Sequence, residues 1–220
     1  VKLVEYGQTT IGAKTRFYLV MELLQGRDFG DFLEEQAYKL PEEQIKDVLC
    51  QVIGGLEAMH RLSIWHRDIK PQNVFITDDG TVKLLDFGLV KMVDYSTLTM
   101  TSEGPKGTPL YISPEAIRGE ELDHRCDFYS LGVMLYHVIT RGKFPFDARN
   151  LLQLINMVLN QPPKRPTTHN SRISNELENL VLMLLSKQPF ERIVDHNELR
   201  DAIRGVPFEI APLPPSKRVG

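Results

Sequence analysis

Cysteine is nearly absent from this sequence, and the two that occur, Cys50 and Cys126, show no C-x-x-C spacing. Both fall in stretches with apolar periodicity, so we expect reduced thiols in the core of a protein from a reducing, cytoplasmic compartment. The pattern argues against a small secreted protein held together by disulfides.

An excess of charge of one sign is missing as well. The formal net charge is −3 over 220 residues, which gives no reason to expect nucleic acid or an anionic membrane surface as a partner. No apolar run reaches the roughly 18 residues of a membrane-spanning segment, and no signal-peptide pattern opens the chain. Because the chain begins "VKLVEYG", strand-like and without Met, we interpret it as a piece of a longer protein with possible further domains.

The residues that are present predict a mainly helical α+β chain. Residues 1–6 and 17–24 are short and aliphatic, and predict two strands joined by the polar loop "GQTTIGAKT". A hairpin is predicted around Asp79-Gly80. Residues 89–113 are rich in Ser, Thr, Gly and Pro, and a loop of this length is usually functional. Apolar steps of three and four predict helices over residues 42–61, 126–140, 148–159 and 174–186, and a last helix from Asp195.

The segment "HRDIKPQN" carries the chemistry. The positive charge of Arg67 and Lys70 favours the ionised form of Asp68, which lies between them. An ionised carboxylate in a loop can accept or orient a hydroxyl proton, and Lys70 can neutralise charge on a transferred group. Asn73 offers a neutral oxygen suited to Mg²⁺. The hairpin then returns the chain to Asp86 in "DFG", so Asn73 and Asp86 can converge on one divalent ion.

The motifs "HRDIKPQN", "DFG" and "GTPLYISPE", in this order, resemble the eukaryotic-type (Hanks-type) serine/threonine protein kinases over about residues 1–205. The resemblance implies a protein-kinase-like α+β fold that acts on ATP, Mg²⁺ and a protein Ser/Thr hydroxyl. It also implies a remnant of an N-terminal lobe and hinge in residues 1–24. Residues 25–207 would form the helical C-terminal lobe, and residues 208–220 a Pro-rich tail or linker.

The resemblance assigns a role to each matching position. Asp68 would be the base and Lys70 the γ-phosphate contact, with Asn73 and Asp86 as metal ligands. The nucleotide site would comprise Met21 as gatekeeper, the backbone of Glu22 and Leu24, Asp28 near the ribose, Phe75 under the base, and Asp86. Architectural roles would fall to His66 and Phe87 in a hydrophobic column with Leu3, to the pair Glu115 and Arg192, and to Asp127 as a brace of the catalytic loop.

Residues 86–115 would be the activation segment. Because Arg67 precedes the catalytic aspartate, the resemblance implies switching by phosphorylation, with Lys91 as a second cation facing the phosphate. Thr101 is the first choice for the acceptor, followed by Ser102 and Thr99. Thr108 in "GTPLY", together with the lysine of the catalytic loop, indicates the serine/threonine branch.

Several parts of the family pattern are missing from this chain. It has no G-x-G-x-x-G-x-V, no strand lysine of the Val-Ala-Ile-Lys type and no following helix with an ion-pair Glu, so we expect this piece alone to transfer phosphate weakly or not at all. Two alternatives stay open. A kinase-like scaffold or pseudokinase is one, although it has no chemical need for an intact base and metal ligands. A P-loop nucleotide hydrolase is the other, but "GQTTIGAKT" has one residue too many, Ala13, and a strand follows it.

Histidine offers no further site in the sequence. Apart from His66, the histidines show no H-x-x-x-H spacing, which argues against a metal site. We expect the other five to be surface or core residues: His60, His124, His137, His169 and His196.

Overall fold

The structure is a computed structural model that describes residues 1–12, 14–86 and 110–208. Its strands form two antiparallel sheets. In one, β1 (Leu3–Ile11) pairs with β2 (Lys14–Met21). In the other, the strand order is β3 (Gly26–Asp28), β4 (Val74–Thr77) and β5 (Val82–Leu84). The expected α+β class is confirmed, and so is the hairpin around Asp79-Gly80, which joins β4 to β5.

The predicted loop between the first two strands is wrong. β1 and β2 continue through that segment until Ile11 pairs with Lys14, and Gly12, with a φ of +63°, lies in the tight turn. The segment is polar because the ribbon is exposed, and its β-branched threonines suit a strand. A P-loop needs an irregular loop that leads into a helix, so the hairpin also excludes the nucleotide-hydrolase alternative.

Seven helices lie in the described ranges: α1 (Phe29–Glu35), α2 (Glu42–His60), α3 (Pro114–Arg118), α4 (Arg125–Ile139), α5 (Leu151–Asn160), α6 (Asn175–Leu184) and α7 (His196–Gly205). The five predicted helices are confirmed to within a few residues, whereas α1, α3 and β3 were not predicted because they are too short to show a period. None of the helices in the described ranges is long and apolar enough to span a bilayer.

Polar side chains cap the starts of several helices. The Asp195 carboxylate accepts from the backbone N–H of Asn197 at 2.8 Å and of Glu198 at 3.0 Å, so α7 starts where the sequence predicted. Asn150 and Ser174 cap α5 and α6 in the same way, at 2.8 and 3.1 Å. These local bonds fix where each helix enters the core.

Helix α4 lies at the centre of the core. Its apolar side chains are buried on every side, as its continuous apolar sequence predicted. The backbone of α4 approaches α6 so closely that a Cβ on Gly132 would lie 2.7 Å from the Cβ of Leu184. A helix packed this tightly is a rigid base, and it carries Asp127 in its first turn.

Acidification is expected to destabilise the fold through His137 on α4. Its Nε2 lies 3.1 Å from the Tyr38 hydroxyl, and its ring packs 4.5 Å from that of Phe144. Burial lowers the pKa of His137 from 6.5 to about 4. The folded state therefore binds this proton less readily than the unfolded chain does. As a result, the free energy of unfolding decreases as pH falls from 6.5 towards 4, by up to about 3 kcal/mol.

The measurement is the urea-unfolding free energy between pH 7 and 4.5 for the wild type and His137→Gln. The variant should lose part of the wild-type slope, because Gln does not titrate. The exposed His169→Gln is the comparison. Partial burial and the nearby Lys164 and Lys143 also lower the pKa of His169, but less than in His137, so this variant should lose less of the slope. Equal slopes for wild type and His137→Gln would contradict the assignment.

Candidate active site

The catalytic loop lies between α2 and β4 and is anchored on α4. The fully buried Asp127 accepts from the His66 N–H through Oδ2 at 2.8 Å and from the Arg67 N–H through Oδ1 at 2.7 Å. Arg67 has a φ of +64°, a left-handed conformation that is strained for a residue with a side chain. These two charge-assisted hydrogen bonds, which the loop N–H groups donate to a carboxylate on a buried helix, hold the strained turn in place.

Asp68 follows this turn and accepts hydrogen bonds from two side chains of the same loop. Its Oδ2 accepts from Lys70 Nζ at 2.7 Å and from Asn73 Nδ2 at 2.9 Å. Asn73 Nδ2 also donates to the backbone carbonyl of Asp68 at 2.7 Å. Because two oxygens face the amide nitrogen, the orientation of the amide is fixed and Asn73 Oδ1 points to the other side. The Asp68 and Lys70 side chains are 30% and 27% exposed, so solvent or a substrate can reach them.

His66 links this loop to the end of the hairpin. Its Nε2 lies 2.9 Å from the carbonyl of Leu85, which can only accept, so Nε2 carries the proton. Nδ1 then accepts a long bond of 3.4 Å from the Asp68 N–H. Burial lowers the pKa of His66, which favours this neutral form.

Leu85 is held from both sides. Its carbonyl accepts from His66, and its N–H donates to the carbonyl of Asn73 at 2.9 Å. The next residue, Asp86, is exposed and has a φ of +52°, so the chain turns sharply there. The structure thus ties the ends of the catalytic loop and the hairpin together and places Asp86 directly after the junction.

Glu115 and Arg192 form a buried ion pair. The guanidinium donates to both carboxylate oxygens, at 2.7 and 2.8 Å, and the side chains are 3% and 0% exposed. Arg192 also donates to the carbonyls of Ser186 and Arg125, each at 2.9 Å. The pair joins α3 to the segment before α7.

The positions assigned to the nucleotide lie around the two sheets. Met21 ends β2 and is 47% exposed, and the Glu22 N–H donates to the Lys2 carbonyl at 3.0 Å. Asp28 pairs with Phe75 across β3 and β4, so these two predicted residues are neighbours. Asp28 also caps α1, because its Oδ1 accepts from the Asp31 N–H at 3.0 Å. Leu24 is half-buried in the link that follows β2.

Part of the predicted set lies outside the described residues: Phe87, Lys91, Thr99, Thr101, Ser102 and Thr108. Of the predicted hydrophobic column, His66 is buried and Leu3 is 49% exposed.

Sequence reasoning missed His60, at the end of α2. Its Nε2 lies 2.8 Å from Asp127 Oδ2, the same oxygen that accepts from the His66 N–H. A histidine six residues before the one in the catalytic loop is the only local signal, and it names no partner. Within the described ranges, no group of three or more His, Cys, Asp or Glu side chains is arranged to hold a metal ion.

The fold and the site together indicate a class of protein. A braced loop carboxylate with a lysine and an amide beside it, followed by a second aspartate after a hairpin, has the composition of a phosphoryl-transfer site. Comparison with known proteins then gives the family. The protein kinase domain family matches residues 1–202, and this chain belongs to it.

The curated relatives point to the same branch. Serine/threonine-protein kinase PksC of Streptomyces coelicolor is 36% identical over 220 residues, which is 98% of this chain and 39% of that protein. Serine/threonine-protein kinase PknA of Corynebacterium glutamicum is 37% identical over 202 residues, 91% of this chain and 41% of the relative. Serine/threonine-protein kinase PknL of Mycobacterium tuberculosis is 35% identical over 194 residues, which is 88% of this chain and 48% of that protein.

The chain is therefore a Hanks-type serine/threonine protein kinase domain, and the predicted resemblance and enzyme class are confirmed. It spans less than half the length of these relatives.

Proposed function

We propose that this domain transfers the γ-phosphoryl group of Mg·ATP to a serine or threonine hydroxyl of a protein substrate. The observation that carries the proposal is the position of Asp68, whose Oδ2 is held by Lys70 at 2.7 Å and Asn73 at 2.9 Å on a loop braced by Asp127. Two donors and a fixed backbone give the carboxylate one orientation, which a group that positions a hydroxyl needs.

This geometry supports the roles proposed for the loop. Asp68 orients the substrate hydroxyl and accepts its proton. Lys70, whose ammonium lies beside that carboxylate, balances the negative charge of the transferred group. The exposure of both side chains leaves them within reach of a substrate. Positioning and charge neutralisation supply most of the catalysis in phosphoryl transfer.

Asn73 and Asp86 are proposed to hold Mg²⁺. Both provide oxygen donors, and the fixed amide presents Asn73 Oδ1 on the side away from Asp68, so the donor set fits this hard cation. Mg²⁺, when bound, would neutralise charge on the phosphate oxygens. For the nucleotide itself we propose the positions that the resemblance assigns: Met21, Glu22, Leu24, Asp28 and Phe75.

Regulation by phosphorylation of the activation segment belongs to the same proposal. The Arg67 side chain is exposed and its backbone is held by Asp127, so its guanidinium is accessible to a phosphate on Thr101 or Ser102, with Lys91 as the second cation. A cytoplasmic location is part of the proposal and is supported by two free cysteines, Cys50 and Cys126.

The chain by itself is proposed to be weakly active or inactive. The sequence contains no Gly-rich loop and no strand lysine, and the β1–β2 ribbon exposes apolar side chains such as Tyr6 and Phe17, which are 75% and 84% exposed. A two-stranded ribbon without cover is marginally stable in water. Tests of activity therefore use the full-length protein, and the scaffold alternative predicts that such tests find no transfer.

Asp86→Asn is expected to remove the Mg²⁺ dependence of nucleotide binding in the full-length protein. The change keeps the size of the side chain but removes the charge that a divalent cation needs. Calorimetric titration with a non-hydrolysable ATP analogue, with and without Mg²⁺, measures the effect.

The matched control is Asp78→Asn, which removes an exposed carboxylate from the turn of the same hairpin and should bind as the wild type does. If Asp86→Asn keeps the wild-type response to Mg²⁺, the metal is held by other residues.

A further inference from the structure

Three histidines lie close to one another, and one of them, His60, is hydrogen-bonded to Asp127, the residue that anchors the catalytic loop. His60 ends α2, His124 immediately precedes α4, and His196 begins α7. We call these three the histidine cluster. Their ring centroids are 5.0 to 5.7 Å apart. The catalytic roles proposed above make no use of His124 or His196.

Two hydrogen bonds connect α7 to the anchor. His60 Nε2 lies 2.8 Å from Asp127 Oδ2, and His60 Nδ1 lies 2.7 Å from His196 Nε2. A carboxylate can only accept, so His60 Nε2 carries a proton, and Nδ1 of the neutral ring accepts. His196 Nε2 must then donate. When both rings are neutral, the hydrogen bonds therefore run in one direction only, from His196 through His60 to Asp127.

This pair can take up one further proton but not two. Protonation of both rings would place two N–H groups opposite each other across 2.7 Å. The His60 side chain is 4% exposed and already uses both nitrogens, whereas His196 is half-exposed and has a second nitrogen. The additional proton therefore enters at His196 Nδ1.

We propose that His196 is a positioning residue that acts through His60 and Asp127 on the backbone of the catalytic loop, and that its protonation loosens the hold on His66. The significance for turnover rests on the proposed function. A cationic His196 strengthens the bond to His60, and His60 in turn binds Asp127 Oδ2 more strongly. The His66 N–H shares that oxygen, whereas the Arg67 N–H binds Oδ1.

The charged surroundings of His196 act on its proton in both directions. The groups that face the pair are Asp127 from α4, Glu57 from α2, Asp195 and Arg200 at α7, and His124. Burial, and then the neighbouring His60 and His124, lower the pKa of His196, while Glu57 and Asp195 oppose this. Arg200 is engaged by Glu57 at 2.9 Å, and His124 Nε2 donates to the Val194 carbonyl at 2.8 Å.

The experiment is amide hydrogen exchange at His66 and Arg67 between pH 5 and 7.5, corrected for intrinsic rates and referred to core amides of α4. The probe is the full-length protein without nucleotide, so the result does not depend on phosphoryl transfer. In the wild type, the protection of His66 relative to Arg67 should fall as His196 gains its proton.

Three variants separate the steps. His196→Leu removes the donor, so His60 competes less strongly for Asp127 Oδ2, and the protection of His66 should rise, by up to about tenfold, the effect of one hydrogen bond of ordinary net strength. His196→Gln can still donate to His60 Nδ1 and should keep the protection while losing its pH response. His124→Gln, the matched control in the same cluster, should behave as the wild type.

Two results would overturn the proposal. One is unchanged protection in His196→Leu after reference to α4. The other is a pH response that persists in His196→Gln, since the proton would then reside on His60. Either result leaves the proposed kinase function intact, and a failed Asp68 or Asp86 test would leave the exchange result intact.

Discussion

Asp68→Asn in the full-length protein is expected to lower phosphoryl transfer by at least about a hundredfold, the low end of what a positioned general base contributes. Asn can still accept hydrogen bonds from Lys70 and Asn73, so the loop should keep its shape, but the amide cannot take the proton of a hydroxyl. Steady-state kinetics with a serine-containing protein substrate measure the loss, and ATP affinity should stay near that of the wild type.

The structure offers a matched control for this change. Asp147 is also paired with a lysine, Lys164, at 3.5 Å, but its side chain is 83% exposed and lies outside the catalytic loop. Asp147→Asn should leave turnover unchanged. If the turnover of Asp68→Asn is close to the wild-type value, Asp68 is not the base. That result would favour the scaffold alternative.

Arg192→Met is expected to destabilise the fold by about 3 to 5 kcal/mol, the usual cost of breaking a buried ion pair from one side. The reason lies in Glu115, whose carboxylate is 3% exposed in the pair and would lose both of its guanidinium donors. The carbonyls of Ser186 and Arg125 would lose a donor as well. Equilibrium unfolding in urea measures the change.

A second variant isolates the contribution of the unpaired charge. Glu115→Leu combined with Arg192→Met should recover part of the loss, because no buried charge is left without a partner. Arg27→Met is the matched control, since Arg27 pairs with Glu35 while both side chains stay about half exposed, and it should cost less than about 1 kcal/mol. Equal effects of Arg27→Met and Arg192→Met would show that burial does not set the strength of the Glu115 pair.

Local patterns predicted the elements that are long or tightly constrained. The apolar period of α2 and the Asp79-Gly80 turn need no information from elsewhere in the chain, and both were predicted correctly. The polar composition before β2 misled the prediction, because an exposed ribbon can be polar and still be a strand. Short elements such as α3 and β3 lack the length to show a period.

The sequence by itself determined the kinase family, since Asp68, Asn73 and Asp86 lie within one short stretch whose order and spacing are characteristic. Tertiary structure alone decided what holds that stretch in place. The His66–Asp127 bond spans 61 positions and the His60–His196 bond spans 136. The apolar period of a helix tells which face is buried, but it does not tell which polar side chain of another helix will meet it there. That choice depends on how α2, α4 and α7 pack together.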